Sequence, residues 1–296
     1  MITIPIQIII NEGSKGPILK CLESLGHLTG LGDKFKLHLF LLSYEEVSYG
    51  SELQNYIIQK TSDNLKFHFA TRIKKSGFGE NHNFIYYELV KKHCPDQPFV
   101  LILNPDTFMW KSCLERMLFW QKEKQATIVE ACQFPSEHPK AYDPKTLEVN
   151  WCSFACVLIS SSTFEALHGF DEVFFMYCED VDMSWRNWIH GGKCIYAPDA
   201  VICHMTNLFH YHPYSFSLES YYALRNHLVL AWKFFGSDKC AYFKYEQMFT
   251  SLNLPTQLKE NIWNDFLHVK KEIKQIDKTH SKVEIKKLGL FHELRF

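Results

Sequence analysis

The sequence has no surplus of either charge. Lysine plus arginine total 32 and aspartate plus glutamate 33, a formal charge of −1 over 296 residues. A protein that holds polyanions by bulk electrostatics needs a basic excess or a basic stripe, so nucleic acid is excluded as a partner of that kind. None of the ten cysteines forms a CxxC pair, which excludes a structural zinc site of ordinary spacing. A core this ample has no need of disulfides. No apolar run approaches the ~20 residues of a membrane span. Met1–Ile10 lacks a basic n-region and reads as a first strand, not a signal peptide. Internal repeats and low-complexity segments are also missing. These absences lead to the expectation of a reduced, cytoplasmic, soluble protein.

What is present is an ordinary globular composition, 46% hydrophobic and 22% charged, with enough apolar surface to fold. Aromatics are plentiful at 15%, with 24 Phe, 14 Tyr and 7 Trp, beside 15 His. Strands are expected at Ile2–Ile10, Leu37–Leu42, Leu65–Ala70, Phe99–Leu103, Ala126–Gln133, Trp151–Ser160 and Lys193–Cys203. Helices are expected at Ile18–Leu25, Ser51–Lys60, Asn81–His93, Ser112–Glu123, Phe164–His168, Asp180–His190 and Ser217–Phe235. Two or three lysine-rich helices follow, to about Lys278. The alternation of strand and helix in the first half predicts a mainly parallel α/β sheet. Ligands bind such sheets beyond the carboxyl ends of the strands, where Asn11, Ser43 and Asp106 fall.

Four groups of residues can carry chemistry. Asp106 follows the apolar strand Leu101-Ile102-Leu103-Asn104-Pro105. A carboxylate there can hold a hard divalent cation whose other ligands are diphosphate oxygens; an Asx turn uses the same residue. Glu179, Asp180 and Asp182 crowd a helix start beside Phe174, Phe175, Met176 and Tyr177. One acid suffices to cap a helix, so three together suggest a base or a clamp for a polar ligand. His204 ends a strand and can complete a metal site with Asp106, although a lone histidine is more often structural. His210 and His212 lie close by, at a spacing that matches no usual zinc pattern. Finally, Gly77-Phe78-Gly79 opens a helix that carries Asn83, and glycines at such a place let backbone approach a nucleotide or make a tight turn.

In this order the segments resemble family 2 of the inverting glycosyltransferases, and within it the rhamnosyltransferase-like enzymes of bacterial surface polysaccharide synthesis. The residues that carry the resemblance are Gly77-Phe78-Gly79 with Asn83, then Leu103-Asn104-Pro105-Asp106. Gly169-Phe170-Asp171-Glu172 follows, with Phe174-Phe175, Tyr177 and Glu179-Asp180-Val181-Asp182, then Arg186 and Gly191. Pro198, His204 and Arg225-Asn226 complete the set. The resemblance covers about residues 1–235 and implies a GT-A fold: a Rossmann-like, mixed, mostly parallel sheet flanked by helices, with a helical extension over 236–296. It implies transfer of a sugar from a nucleoside-diphosphate sugar, dTDP- or UDP-linked, to a hydroxyl of a glycan or lipid-linked glycan, with inversion. It makes Asp180 the catalytic base with Glu179 beside it. Asp106 and His204 become ligands of Mg²⁺ or Mn²⁺. Asn11, Glu12, Ser43, Gly77, Phe78, Gly79, Asn83, Asn104, Asp106 and Arg225 become donor contacts, and Phe175, Tyr177 and Asp182 acceptor contacts.

The sequence departs from the family in three places. The first strand ends in Ile10-Asn11-Glu12 where the family usually has a Tyr-Asn type turn. Asn104 stands where the metal motif usually has its first acid, and Leu41-Leu42-Ser43 lacks the usual strand-end aspartate. A metal-dependent phosphohydrolase built on Asp106, Asp180 and His204, and a catalytically silent sugar- or nucleotide-binding scaffold, are the competing readings. The lysines from Lys270 to Lys287 read as a solvated helical face, with peripheral membrane association as the alternative.

Overall fold

The computed structural model describes residues 1–138, 140–205, 218–237, 239–279, 281 and 283. Its strands are β1 (Ile2–Ile10), β2 (Phe35–Ser43), β3 (Leu65–Thr71), β4 (Phe99–Leu103), β5 (Thr107–Met109), β6 (Ile128–Phe134), β7 (Cys156–Ser160) and β8 (Cys194–His204). They form one sheet in the order β3-β2-β1-β4-β7-β6-β8-β5. The first four pair in parallel, as the strand–helix alternation predicts. β7 is antiparallel to both β4 and β6, and β5 is antiparallel to β8. The sheet is therefore mixed beyond β4.

Of the helices, α1 (Ile18–Gly26), α2 (Gly50–Lys60) and α5 (Cys113–Lys124) belong to the first half of the chain. So does α3 (Phe78–Phe84), which runs on through a π-helical stretch (Ile85–Val90) into a last turn, α4 (Lys91–His93). Further along come α6 (Ser161–Ala166), α7 (Glu179–Ile189), α8 (Leu218–Phe235), α9 (Lys239–Ser251) and α10 (Thr256–Lys270). Isoleucine-rich β1 alternates its buried side chains between faces. Ile4, Ile6, Ile8 and Ile10 join the core shared with α1 and α5, while the opposite face packs on the π-helical stretch, α6 and Met183 of α7. A third core lies between α7 and the C-terminal helices, with Trp185, Phe234, Phe249, Ile262 and Phe266 among its fully or nearly buried members. The C-terminal helices are thus built directly onto α7.

The expected strand over Trp151–Ser160 begins only at Cys156. Trp151 to Ala155 are buried all the same, so the hydrophobic run reports burial more than extension. The lysine-rich face also differs in part: the Lys270 ammonium lies 3.9 Å from the Trp232 ring centroid and 5.0 Å from that of Tyr242, a cation–π arrangement. Lys282, Lys286 and Lys287 lie outside the described residues, as do His210 and His212.

Candidate active site

Two residues far apart in sequence meet because of one topological step. After β4 the chain turns at Asn104–Asp106 and leaves for the far edge of the sheet, where β5 pairs with β8. Thr107 stands opposite His204 in that pairing, and the Asp106 carbonyl accepts the Met205 amide at 3.1 Å. Asp106 is thereby brought beside His204, with Oδ1 3.5 Å from Nε2. His204 is 8% exposed and its Nδ1 lies 2.9 Å from Gln133 Oε1, while its Nε2 is buried with no hydrogen-bond partner among the described residues. A buried polar atom without a partner is uncommon and calls for an explanation. A divalent cation fits this corner: a carboxylate oxygen and an imidazole nitrogen face one another across a gap too long for a good hydrogen bond. The Asn104 carbonyl accepts the Thr107 amide and hydroxyl and closes the turn.

The acidic segment is held from three sides. Gly169 (φ +68) sits where a Cβ would fall 2.2 Å from Asn83 Oδ1. Asn83 accepts the Phe170 amide and donates to the Phe170 carbonyl. Gly77 meets Phe175 so closely that a Cβ would lie 2.3 Å from its carbonyl oxygen, and the Phe78 amide donates to that same oxygen at 2.8 Å. A Cβ on Gly79 would press on Phe170. From the other flank, Arg225 donates to the Val173 carbonyl and Asn226 donates to the Met176 and Tyr177 carbonyls. Tyr177 and Cys178 are then forced into the left-handed region, φ 67 and φ 72, a conformation that non-glycine residues adopt at a cost and that clusters at functional sites. Immediately after this turn α7 begins with Glu179 and Asp180. The helix start favours negative charge, and Asp180 Oδ1 accepts the Val181 amide at 2.8 Å. Cys178, not Asp180, is the N-cap residue.

These contacts give several of the expected site residues a structural partner. The glycines of 77–79 and Asn83 were expected at the donor; their close approach is to the protein's own 169–175 segment. Arg225, also expected at the donor, is 5% exposed and braces that segment with Asn226. Asp182, expected at the acceptor, is fully buried, its Oδ2 2.7 Å from Arg186 Nε and its Oδ1 2.5 Å from Lys233 Nζ. Arg186 also donates to the carbonyls of Leu167 and Gly169, and Lys233 reaches Asp171 Oδ2 at 2.6 Å. Burial works to raise the Asp171 carboxyl, and Lys233, the Val173 amide and Arg186 together more than offset this, leaving it below the ordinary aspartate value. Ser43, expected at the nucleotide, is fully buried and its hydroxyl donates to the Glu45 carbonyl.

Asn11 and Glu12 follow the end of β1 and bond to Tyr44 and Glu45, which follow β2. Asn11 Nδ2 donates to the Tyr44 hydroxyl at 2.9 Å, the Glu12 amide donates to Glu45, and the Glu12 carboxylate accepts the Ser48 amide at 2.7 Å. Hydrogen bonds from Ser48 hold the Glu12 carboxyl below its ordinary value. Phe175 and Tyr177 stay at least partly open; Tyr177 is 39% exposed and Phe175 packs on Tyr222 at 5.0 Å. Gln133 and Lys233 were not foreseen. Nothing in the local pattern distinguishes Gln133. Lys233 did carry a signal, as one charge within the apolar run Leu228–Phe235.

No family model matches the chain. Rhamnosyltransferase WbbL of Escherichia coli (strain K12) is 28% identical over 153 residues, 41% of this chain and 58% of that protein. The N-acetylglucosaminyl-diphospho-decaprenol L-rhamnosyltransferase of Mycobacterium tuberculosis (strain CDC 1551 / Oshkosh) is 36% identical over 87 residues, 29% of this chain and 25% of that protein. The matched region thus spans little more than half the length of the first relative and a quarter of the second. Among solved structures, GalNAc-T7 with UDP, GalNAc and Mn²⁺ superposes with a TM-score of 0.60 at 13% identity, over 93% of this chain and 55% of that one. S. aureus TarS 1-349 in complex with UDP superposes with a TM-score of 0.52 at 15% identity, over 97% and 77%. The chain has the GT-A glycosyltransferase fold. In this GT-A chain the Asp106–His204 corner is formed where β5 meets the end of β8, and its sequence relatives are rhamnosyltransferases.

Proposed function

We propose that the chain is an inverting glycosyltransferase that moves a sugar from a nucleoside-diphosphate donor to a hydroxyl of a glycan or lipid-linked glycan. The observation that carries this reading is the Asp106–His204 pair, set at one corner of a GT-A sheet with the His204 Nε2 buried and without a hydrogen-bond partner among the described residues. The Mycobacterium relative's name specifies a diphospho-decaprenol acceptor, which supports a lipid-linked acceptor here. No helix among the described residues is long and apolar enough to cross a membrane.

Asp106 and His204 would hold a divalent cation, Mg²⁺ or Mn²⁺. When bound, such an ion stabilises the charge that develops on a departing diphosphate. Asn11 and Glu12, after the end of β1, line the nucleotide side, and Phe175 and Tyr177 offer apolar faces to a sugar ring. Asp180 takes the proton from the acceptor hydroxyl as its oxygen attacks the anomeric carbon from the side opposite the leaving group. Glu179 beside it contributes negative charge to the same helix start. Among the described residues no group of three His, Cys, Asp or Glu side chains is placed to hold a metal; in the transferase reading the donor's diphosphate oxygens would supply the further ligands.

The test is turnover with dTDP- and UDP-sugars in the presence of Mn²⁺. Asp180→Asn is expected to lower turnover about 10²–10⁴-fold, while UDP or dTDP still raises the thermal midpoint as in the unsubstituted chain. Unchanged turnover would remove Asp180 from the role of base.

A further inference from the structure

The side chain behind His204 decides which of its nitrogens can bind a cation. Gln133 is 3% exposed, and its Oε1 lies 2.9 Å from His204 Nδ1. A carbonyl oxygen only accepts, and a neutral imidazole has a single N–H. With that proton on Nδ1, Nε2 is left with its lone pair. That lone pair is buried, makes no hydrogen bond among the described residues, and stands 3.5 Å from the Asp106 carboxylate oxygen. Two electron-rich atoms facing one another repel in the absence of a cation. Gln133 Nε2 is likewise buried without a partner among the described residues, so this amide is not kept in place by satisfying its own donor.

The backbone puts Gln133 there through an irregularity. Ala131 pairs with Ala197, but the next residue, Cys132, pairs with Val201. Residues 198–200 of β8 are looped out of the ladder, and Pro198, which has no amide to donate, stands first among them. In unbroken register Gln133 would lie opposite Asp199. The bulge places it opposite Ile202 instead, two residues from His204 and within reach of its ring.

We propose that Gln133 is a positioning residue that locks His204 in its Nδ1–H form and so presents the Nε2 lone pair, with Asp106, as half of a divalent cation site. The inference rests on the metal-site reading above and adds to it the residue that sets the ligand. Outer-shell partners of this type orient a metal-binding imidazole, and their loss costs about 10–100-fold in metal affinity.

The experiment titrates Mn²⁺ into the full chain in the presence of UDP or dTDP, followed by Mn²⁺ electron paramagnetic resonance. Gln133→Leu is expected to weaken Mn²⁺ binding about 10–100-fold. Gln133→Glu, which can only accept, is expected to keep it at or above the original level. The imidazole ¹⁵N spectrum of the metal-free protein, with His204 assigned by comparison with His204→Ala, is expected to show Nδ1–H in the unsubstituted chain and in Gln133→Glu. It needs no folded Leu variant. An Nε2–H form in the unsubstituted chain, or loss of Mn²⁺ binding in Gln133→Glu, would mean that the amide donates instead and would overturn the proposal. Full Mn²⁺ affinity in folded Gln133→Leu, with loss in Asp106→Ala and His204→Ala, would overturn it while leaving the metal site intact. Unchanged Mn²⁺ affinity in Asp106→Ala and His204→Ala would remove the metal site itself.

Discussion

Lys233→Met tests the buried charge network under the acidic segment. Lys233 Nζ lies 2.6 Å from Asp171 and 2.5 Å from Asp182, and Asp182 also faces Arg186 at 2.7 Å. Two cations and two anions balance. Lys233 is 4% exposed and Asp182 fully buried, so removing the lysine leaves Asp182 with Arg186 alone and Asp171, whose side chain is 35% exposed, without its cation. Loss of one partner of a buried pair costs about 3–5 kcal/mol. Methionine has a similar volume and keeps the packing against Phe174 and Phe234, whose ring centroids lie 5.7 and 5.9 Å from the ammonium, so the effect reports charge and not a cavity. For a chain of this size that corresponds to a fall of roughly 6–20 °C in the thermal midpoint. Adding Asp182→Asn to Lys233→Met makes the remaining network neutral and is expected to recover part of the loss. The assay is chemical and thermal denaturation of both variants. A loss below about 1 kcal/mol in the single variant, or a double variant that is the sum of two independent losses, would refute the idea that these four charges act as one buried unit.

Two further outcomes follow from the geometry. Gly77→Ala places a Cβ 2.3 Å from the Phe175 carbonyl oxygen; it is expected to destabilise the fold by about 1–3 kcal/mol and to lower turnover by displacing the 169–178 segment, both measured on the same preparation. His68, at the sheet edge against His38, His93 and Phe40, has its imidazole pushed down to about 4, first by burial and then by neighbouring histidines. The unfolded chain then binds the proton more readily. Stability is full above the unfolded value of about 6.5 and falls as pH drops from there towards 4. Denaturation midpoints between pH 7 and 4 should show a shallower slope in His68→Phe; an unchanged slope would assign the acid sensitivity elsewhere.

Local rules reached the strands and helices because their signals are local. The apolar run of β1, the Gly191-Gly192 stop after α7 and the amphipathic spacing of α1 needed no knowledge of the rest of the chain. The sign of strand pairing after β4 was not accessible in this way, because it depends on where β5 goes, and a three-residue strand carries almost no pattern of its own. The same limit governs the site. Asp106, Asp180 and His204 stood out because a strand end or a helix start put an unusual residue at an informative place. The glycines and amides around 77–83 looked like ligand contacts because a backbone that must approach a phosphate and one that must approach another loop require the same residue types. In the fold it is Phe170 and Phe175 that lie against Gly79 and Gly77. Gln133 was silent for a related reason: its role depends on a bulge in β8 that shifts its partner by three residues.

The three acids at the start of α7 divide their work by helix geometry. Residues two apart on an α-helix lie about 200° apart around its axis. Asp182 is held inward by Arg186 and Lys233, so Asp180 is directed to nearly the opposite side. Its own carboxylate takes the Val181 amide, and Ser184 Oγ caps the Asp180 carbonyl at 2.8 Å. The inner acid therefore fixes the rotation of the helix, and the rotation fixes where the proposed base points. Two neutralising substitutions should separate these roles. Asp180→Asn keeps the side chain's shape and an oxygen that can accept the Val181 amide, so it is expected to remove turnover at a smaller cost in stability than Asp182→Asn. Asp182→Asn is expected to lower stability by several kcal/mol, on the order of a broken buried pair, and to reduce turnover only as far as Asp180 is displaced. If Asp182→Asn were as stable as the unsubstituted chain yet inactive, Asp182 itself would be the residue that meets the substrate, and the assignment of the two acids would have to be exchanged.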